Sequence, residues 1–266
     1  MSSTKARLIA LDIDETILNR PAGVPVHSKV REAVRDAREA GAKVCLCSAR
    51  PTYFMKDALS GLDEVDALIG CSGAMIVKDG EIIYKNRMEK PLLMACYETG
   101  KRLDAYFSFA GENHLFIPRK GPRNPTDDDA AVFIVMEDDE LIEKIQADDF
   151  YCAFIFVEPG TMKEAVFLDP VFASASIQKS SSNAFEILNE GTNKGTGVLK
   201  LAELWNIPRE EILAVGNDEN DITMFKVAGV GVAVGNARAD VKAAADWIAP
   251  DVLHGGAADA IRRFAL

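Results

Sequence analysis

The chain has few cysteines, no long apolar run and no evident leader segment. Its five cysteines include no CxxC pair, so the sequence indicates neither a zinc site nor a disulfide framework and suits a reducing compartment. No window approaches the roughly 18 consecutive apolar residues of a membrane-spanning helix. The N-terminus passes directly into a strand-like run, which leaves no room for a signal peptide. We therefore expect a cytoplasmic protein that does not act at a membrane.

Basic residues are also in deficit, with 30 Lys and Arg against 41 Asp and Glu and a formal net charge of −11. A protein that binds duplex nucleic acid needs a basic surface to displace counterions. The charge balance therefore predicts no nucleic-acid partner, and it makes any local group of basic side chains conspicuous.

Strand-like and helix-like segments alternate at both ends of the chain. Residues 28–40 carry apolar side chains at helical spacing, and residues 44–47 and 212–215 are short apolar runs typical of buried strands. This alternation predicts an α/β fold, with a Rossmann-like doubly wound parallel sheet that helices cover on both faces.

The middle of the chain has a different pattern. Lys78-Asp79-Gly80 is a hairpin signal, short strands are predicted at residues 131–136 and 153–157, and Asp127-Asp128-Asp129 indicates solvated surface. A chain of 266 residues is near the limit for one core. We expect a core formed by residues 1–83 and 190–266, with an α+β domain of residues 84–189 inserted into it.

The most informative segment is Asp12-Ile13-Asp14-Glu15-Thr16, which directly follows the apolar run 8–11. Side chains two residues apart in extended chain point the same way, so two carboxylates come together and repel each other unless a counter-ion is present. This repulsion is commonly offset by a hard divalent cation with oxygen ligands, usually Mg2+. Asp and Thr are also frequent turn and cap residues, so an ordinary turn remains the alternative.

Further polar segments lie where a strand is predicted to end and a helix to begin, which is where open α/β sheets bind ligands. Ser48-Ala49-Arg50 offers a hydroxyl and a guanidinium at a helix N-terminus and suits an anion, although Ser48 as a simple helix cap explains it equally well. Lys194 lies in the first turn of a predicted helix, where a cation opposes the helix dipole. Either a nearby anion or chance surface placement accounts for it.

The segment Gly216 to Asp221 follows the apolar run 212–215 and crowds oxygen side chains into one turn. Gly216 lets the backbone reverse, and so many carboxylates would repel each other without a counter-ion. The alternative is a polar loop in which Asn220 caps the next helix. Together, the four segments supply a nucleophilic carboxylate, a second carboxylate for proton transfer, cations for a phosphate and oxygens for a metal. That inventory indicates phosphoryl transfer.

The four segments, in this order, resemble the motifs of the haloacid dehalogenase superfamily. Gly235-Asn236-Ala237 and the segment 241–246 are similar to the C-terminal stretch of its Cof-type (class IIB capped) phosphatases. The resemblance covers both ends of the chain and reaches the middle only by size and position. It implies a Mg2+-dependent phosphatase acting on small phosphorylated metabolites such as sugar phosphates, with the inserted domain as a mobile cap that selects the substrate.

The resemblance also implies residue roles. Asp12 would attack phosphorus to form an aspartyl-phosphate, Asp14 would protonate the leaving oxygen and then activate water, and Lys194 would steady the charge on Asp12. Thr16 would orient Asp14 or the phosphate. The phosphate would be held by Thr16, Ser48, Ala49, Arg50, Lys194 and Asn220. The metal would be held by Asp12, Asp14, Asn217, Asp218 and Asp221.

The sequence departs from the family pattern at three positions. Glu15 stands where the family usually has Gly, and Ser72 stands where Asn is common. Asn217 stands where the family usually has a metal-binding Asp, so this position keeps an oxygen ligand but loses a charge, and Asp218 or Asp221 would have to compensate. For Arg50, a structural ion pair and phosphate binding are both open.

Two other functions remain open on the sequence alone. A phosphosugar mutase on a related capped scaffold would use the same motifs, and would yield an isomer of a hexose 6-phosphate where a phosphatase releases inorganic phosphate. A non-catalytic binding protein would have kept the fold after Asn217 weakened the metal site, although Asp12 and Asp14 are both intact. The sequence does not indicate the oligomeric state.

Overall fold

A computed structural model describes residues 5–19, 23–62, 64–119, 132–179 and 183–266. The chain divides into two compact units, a discontinuous unit (Met1–Tyr84 and Asn193–Leu266) and an inserted unit (Lys85–Thr192). The acidic segment Asp127-Asp128-Asp129 and the first residue of the strand predicted at 131–136 lie outside the described residues.

Eight strands, numbered in chain order, form the sheet of the discontinuous unit. They are β1 (Leu8–Leu11), β2 (Lys43–Cys47), β3 (Ala67–Gly70), β4 (Met75–Lys78), β5 (Glu81–Lys85), β12 (Ile212–Gly216), β13 (Val230–Ala233) and β14 (Trp247–Ile248). Their order across the sheet is β14-β13-β12-β1-β2-β3-β4-β5. The strands from β14 to β3 are parallel, and β4 is antiparallel to β3. The predicted parallel sheet is confirmed, with an antiparallel hairpin added at one edge.

Helices cover both faces of this sheet. They are α1 (Ser28–Glu39), α2 (Lys56–Ser60), α6 (Lys194–Leu204), α7 (Ile222–Val227), α8 (Ala239–Ala244) and α9 (Gly256–Phe264). Successive residues of β1 point to opposite faces, so Ile9 and Leu11 pack in one core with α1 and α9, while Leu8 and Ala10 pack in a second core with α6, α7 and α8. Because both faces are buried, the strands are apolar throughout rather than alternating.

The hairpin between β4 and β5 has the turn that its sequence predicts. Asp79 and Gly80 both have positive φ, at 52° and 81°. A two-residue loop with two positive φ values matches the twist of the flanking strands, and Asp-Gly is a favoured pair for it.

The inserted unit is an α+β layer structure. Its strands are β6 (Tyr106–Ala110), β7 (Leu115–Pro118), β8 (Phe133–Met136), β9 (Cys152–Phe156), β10 (Ser176–Lys179) and β11 (Ala184–Leu188), and its helices are α3 (Lys90–Arg102), α4 (Asp138–Ala147) and α5 (Lys163–Val166). The sheet order is β10-β11-β9-β6-β7-β8. The pairs are antiparallel except for β7 with β8, which is parallel. One face of the sheet packs Phe107, Phe109 and Ile155 against α3 and α4.

Among the described residues, no helix combines the length and the apolar character needed to cross a bilayer.

Candidate active site

Two neighbouring parallel strands bring the first and last motifs together. In the pairing of β1 with β12, Leu11 lies opposite Val215, and the Asp12 amide donates to the Val215 carbonyl at 2.9 Å. The residues that follow both strands therefore leave the sheet at the same edge, where open α/β sheets bind ligands. The predicted site lies at this edge.

A buried lysine joins two buried carboxylates there. The Lys194 Nζ donates to Asp12 Oδ1 at 2.7 Å and to Asp221 Oδ1 at 2.6 Å. All three residues are buried, with Lys194 2% exposed. The helix that carries Lys194 is fixed by a reciprocal cap, because the Asn193 side chain accepts from the Thr196 amide and the Thr196 hydroxyl accepts from the Asn193 amide.

Burial and the neighbouring charges shift both of the ionisable groups. Desolvation, and next the negative charge of Asp221, raises the pKa of Asp12 to about 7, and Lys194 opposes this shift. Desolvation alone would lower the pKa of Lys194, but Asp12 and Asp221 outweigh it and the pKa is raised. Lys194 therefore stays positively charged, whereas the charge of the Asp12 carboxyl group depends on whether a cation binds beside it.

Asp221 and Asp218 have structural contacts that compete with the metal ligation predicted for them. Asp221 uses Oδ1 for Lys194, while its Oδ2 accepts from the backbone amides of Asn217 and Asp218 at 2.8 and 3.0 Å. The Asp218 carboxylate accepts from the Glu219 amide at 2.8 Å and lies 3.7 Å from the Arg238 guanidinium. The two carboxylates thus close the turn, and their role as metal ligands stays a prediction.

The shape of this turn depends on Gly216. A β-carbon at this position would lie 2.4 Å from the Asp221 side-chain carbon and 2.5 Å from its Oδ2. Since real β-carbons do not approach other atoms so closely, a side chain at residue 216 would push Asp221 away from Lys194.

Asn217 contacts the first motif. Its terminal side-chain atom lies 2.9 Å from the Thr16 Oγ1, 2.9 Å from the Asp14 backbone oxygen and 3.1 Å from Asp12 Oδ2. The Thr16 hydroxyl is itself 2.9 Å from Asp12 Oδ2. A carboxylate oxygen, a main-chain carbonyl and a side-chain amide therefore converge on one small volume.

This donor set fits a hard cation. Oxygen atoms of carboxylate, carbonyl and amide groups are the ligands that Mg2+ accepts, usually with several waters. In the described ranges, no three Asp, Glu, His or Cys side chains lie close enough together to hold a metal by themselves. A cation at this place would depend on the Asp14 carbonyl and on Asn217 as well as on Asp12.

The second carboxylate of the first motif is held by Arg50. The Arg50 Nε donates to Asp14 Oδ2 at 2.7 Å, and its Nη2 donates to Asp14 Oδ1. The Nη1 of the same guanidinium donates to Asp57 Oδ1 at 2.8 Å and to the Phe54 carbonyl at 3.1 Å. Arg50 is thus in an ion pair with Asp14, which is one of the two roles that the sequence left open for it, and its part in phosphate binding stays a prediction.

The remaining predicted phosphate ligands lie along the same edge. The Ser48 hydroxyl is buried and accepts from the Arg50 amide at 3.2 Å, and Ala49 between them is half-buried. Asn220 is buried, and its Oδ1 has no hydrogen-bond partner among the described residues. The Asn220 side chain therefore does not act as the helix cap that the sequence left open.

The departures at Glu15 and Ser72 share a backbone feature. Both have positive φ, at 57° and 43°, a region that Gly enters freely and Asn more readily than most residues. The Gly and Asn that are usual at these positions suit this backbone, and here the turns are kept with other side chains. Asn236 supports the first turn by donating to the Glu15 carbonyl at 2.7 Å.

Sequence reasoning missed two residues of the site. Asp57, the second partner of Arg50, lies in the first turn of α2 and has no motif to mark it. Asn236 belongs to the Gly235-Asn236-Ala237 segment, which matched by resemblance only, and its contact with Glu15 crosses more than 200 residues of chain.

The fold and this site together define the haloacid dehalogenase-like hydrolases. A model of that family matches residues 9–261, and the chain belongs to it. The predicted enzyme class, a phosphoric monoester hydrolase of the haloacid dehalogenase type, is confirmed.

Three relatives illustrate the likeness. YxeH of Bacillus subtilis is 28% identical over 272 residues, which cover 98% of each chain. The 5-amino-6-(5-phospho-D-ribitylamino)uracil phosphatase YwtE of the same organism is 26% identical over 261 residues, covering 89% of this chain and 90% of the relative. The solved structure of the subclass IIB sugar phosphatase BT4131 superposes with a TM-score of 0.84 at 22% identity, covering 97% and 99% of the two chains.

Proposed function

We propose that this enzyme hydrolyses the phosphate monoester of a small polyhydroxylated metabolite through an aspartyl-phosphate on Asp12, with Mg2+ as the cofactor. The observation that carries the proposal is the buried pair of Asp12 and Lys194, joined at 2.7 Å. A buried carboxylate held by a fixed cation and aimed out of a strand end is suited to nucleophilic attack on phosphorus.

The two oxygens of Asp12 have different surroundings, and this assigns their roles. Oδ2 contacts Thr16 and the Asn217 amide group, so it belongs to the metal side. Oδ1 contacts only Lys194 among the polar groups described above, and we assign it as the attacking atom. Lys194 would hold both the nucleophile and an oxygen of the incoming phosphate.

Asp14 supplies and removes the protons. As Asp12 Oδ1 bonds to phosphorus, the bond from phosphorus to the ester oxygen breaks, and Asp14 gives its proton to that oxygen. Asp14 then takes a proton from a water molecule that attacks the same phosphorus, and the bond to Asp12 breaks with release of inorganic phosphate. The two hydrogen bonds from Arg50 set the direction of the Asp14 carboxyl group for both proton transfers.

Mg2+ would be held by Asp12 Oδ2, the Asp14 carbonyl and the Asn217 side-chain oxygen, and it would neutralise charge between the two anions that have to meet. Ser48, the backbone of Ala49 and Asn220 are proposed to bind the remaining phosphate oxygens.

The inserted unit is proposed to act as the cap that recognises the substrate's hydroxyl groups. Ser108, Glu186 and Gln178 lie in one row across β6, β9, β11 and β10, because Ser108 is opposite Phe154, Phe154 is opposite Glu186 and Glu186 is opposite Gln178. Strand alternation places this row on the face turned away from α3 and α4. The Ser108 hydroxyl is buried and, within the described ranges, has no hydrogen-bond partner.

The names of two relatives support a proposal about the substrate class. The ribitylaminouracil phosphatase and the sugar phosphatase both have names that indicate a phosphate on a polyhydroxylated carbon chain. A polar row on a cap sheet suits such a chain, so we propose sugar or polyol phosphates as the class.

A panel of phosphorylated metabolites, assayed for inorganic phosphate with Mg2+ and with a chelator, tests the proposal. We expect Mg2+-dependent release from primary sugar and polyol phosphates, and none from Asp12→Asn, whose side chain has nearly the same shape. Asp14→Asn should accumulate a protein adduct carrying one phosphoryl group, visible by mass spectrometry. Asp57→Asn is a matched control, because it removes the charge of a carboxylate near the site that takes no part in the proposed phosphoryl transfer.

Two results would refute the proposal. Turnover by Asp12→Asn would rule out covalent catalysis by that residue. Conversion of a hexose 6-phosphate to an isomer, without release of phosphate, would indicate a mutase instead.

A further inference from the structure

The Asn217 amide can be oriented by counting protons. The Thr16 hydroxyl has one proton and two neighbours at 2.9 Å, Asp12 Oδ2 and the terminal atom of Asn217. When the Asp12 carboxyl group is ionised its oxygens can only accept, so the Thr16 proton then goes to Asp12. The Thr16 oxygen can then accept a proton from Asn217, which requires nitrogen rather than oxygen at that terminal position.

The other neighbours require the same orientation. The terminal atom of Asn217 lies 2.9 Å from the Asp14 carbonyl oxygen and 3.1 Å from Asp12 Oδ2, and both of these can only accept. An amide oxygen here would face three oxygens with no proton for two of them. An amide nitrogen supplies two N–H groups, one for the Asp14 carbonyl and one for the Thr16 hydroxyl, while Asp12 Oδ2 receives the Thr16 proton.

We infer that in the metal-free enzyme the Asn217 amide group takes the place of the cation. Its two N–H groups donate to the Asp14 carbonyl and to Thr16, whose hydroxyl donates to the Asp12 carboxylate, and the amide turns over to present its oxygen when a divalent cation binds. This inference rests on the proposed metal site and goes beyond it, because it assigns Asn217 a function in the absence of metal.

The amide therefore serves two purposes that an aspartate at the same position cannot combine. An aspartate would give the cation a full negative charge but, without a cation, would bring a third acceptor against Asp12 Oδ2 and the Asp14 carbonyl. The amide gives the cation only a neutral oxygen, yet keeps the empty site assembled. The expected consequence is a site with weaker metal affinity and little dependence of its folded geometry on metal.

Asn217→Asp is the sharpest test, with thermal unfolding as the readout. In a chelator we expect its Tm to be lower than that of the wild type by roughly 5 °C, the order expected for losing two hydrogen bonds and leaving their acceptors unsatisfied in a chain of this size. Saturating Mg2+ should raise the Tm of Asn217→Asp by more than it raises the wild type. Asn113→Asp, at an exposed position of the inserted unit, controls for the added charge and should show neither effect.

A second measurement does not depend on any substitution being tolerated. In 15N-labelled wild type, the side-chain NH2 signals of Asn217, assigned by their loss in Asn217→Ala, should exchange slowly with solvent in a chelator. They should shift and exchange faster when Mg2+ is added.

Fast exchange of these protons in the metal-free protein would overturn the inference. So would an Asn217→Asp variant that is as stable as the wild type in a chelator. Neither measurement uses turnover, so a failure of the proposed phosphatase chemistry would leave these results unaffected.

Discussion

Arg50 donates hydrogen bonds to the carboxylate of Asp14 from two guanidinium nitrogens, Nε and Nη2. The same guanidinium also holds Asp57, so its position is fixed from two sides. A planar guanidinium that makes two hydrogen bonds fixes the direction of a carboxylate and also compensates its charge. Arg50 is therefore a positioning residue for the proton donor.

Arg50→Lys should lower kcat by about ten-fold or more with a smaller change in KM, because a lysine keeps the charge but loses the fork that aims Asp14. Steady-state kinetics on a sugar phosphate measures the split. Asp57→Asn removes the second partner and leaves the fork on Asp14, so its kcat should fall much less. Equal losses in the two variants would contradict the role given to the Asp14 contact.

The Asp12 carboxyl predicts a coupling between pH and metal. Its pKa is raised from 3.8 to about 7, so between these values the folded protein holds a proton that the unfolded chain has lost. Stability in a chelator should therefore decline as the pH rises through this interval. A cation replaces the proton, so Mg2+ affinity should increase with pH up to about 7, with proton release on binding.

Mg2+ titrations by calorimetry at about pH 5 and about pH 8, in two buffers of different ionisation enthalpy, measure both the affinity and the released proton. Asp12→Asn has no proton to release and serves as the control. A metal affinity independent of pH in the wild type would count against the raised pKa.

Lys194→Met should destabilise the fold by about 3–5 kcal/mol, since removing one partner of a buried ionic group leaves the others uncompensated. Here the orphaned groups are Asp12 and Asp221. Urea unfolding measures the loss, and part of it should be recovered at low pH, where Asp12 takes up a proton. Lys200→Met, on the same helix but partly exposed beside Glu203, should cost at most about 1 kcal/mol. A comparable loss in the two variants would contradict the buried network.

Glu15→Gly should raise the free energy of unfolding by up to about 1 kcal/mol. A side chain at φ 57° costs about 1–2 kcal/mol, and part of that gain is offset by the greater freedom of Gly in the unfolded chain. Glu15→Ala keeps the β-carbon and should show no such gain. If alanine stabilises as much as glycine, the charge of Glu15 and not its backbone is responsible.

The doubly wound sheet could be predicted because its strands are apolar on both faces and alternate with helical patterns. The meeting of Asp12 with Lys194 was indicated only by the motif resemblance, because the strand that precedes Lys194, β11, belongs to the sheet of the inserted unit and not to that of β1. Which of Asn217, Asp218 and Asp221 contacts the first motif could not be predicted, because this depends on side-chain directions within a single turn. The sequence did not reveal Asp57 either, as nothing local distinguishes a carboxylate that pairs with Arg50 from one in water.

Asp12 and its counter-ion are 182 residues apart in the chain, and β1 takes its place in the sheet between β2 and β12. During synthesis β2 is available soon after β1, but β12, the second neighbour of β1, is made only after the whole inserted unit. Domains generally fold as units as they emerge. We therefore expect the nascent chain to have a folded inserted unit while β1 still lacks its second neighbour, and it is during this interval that a chaperone would find exposed apolar surface.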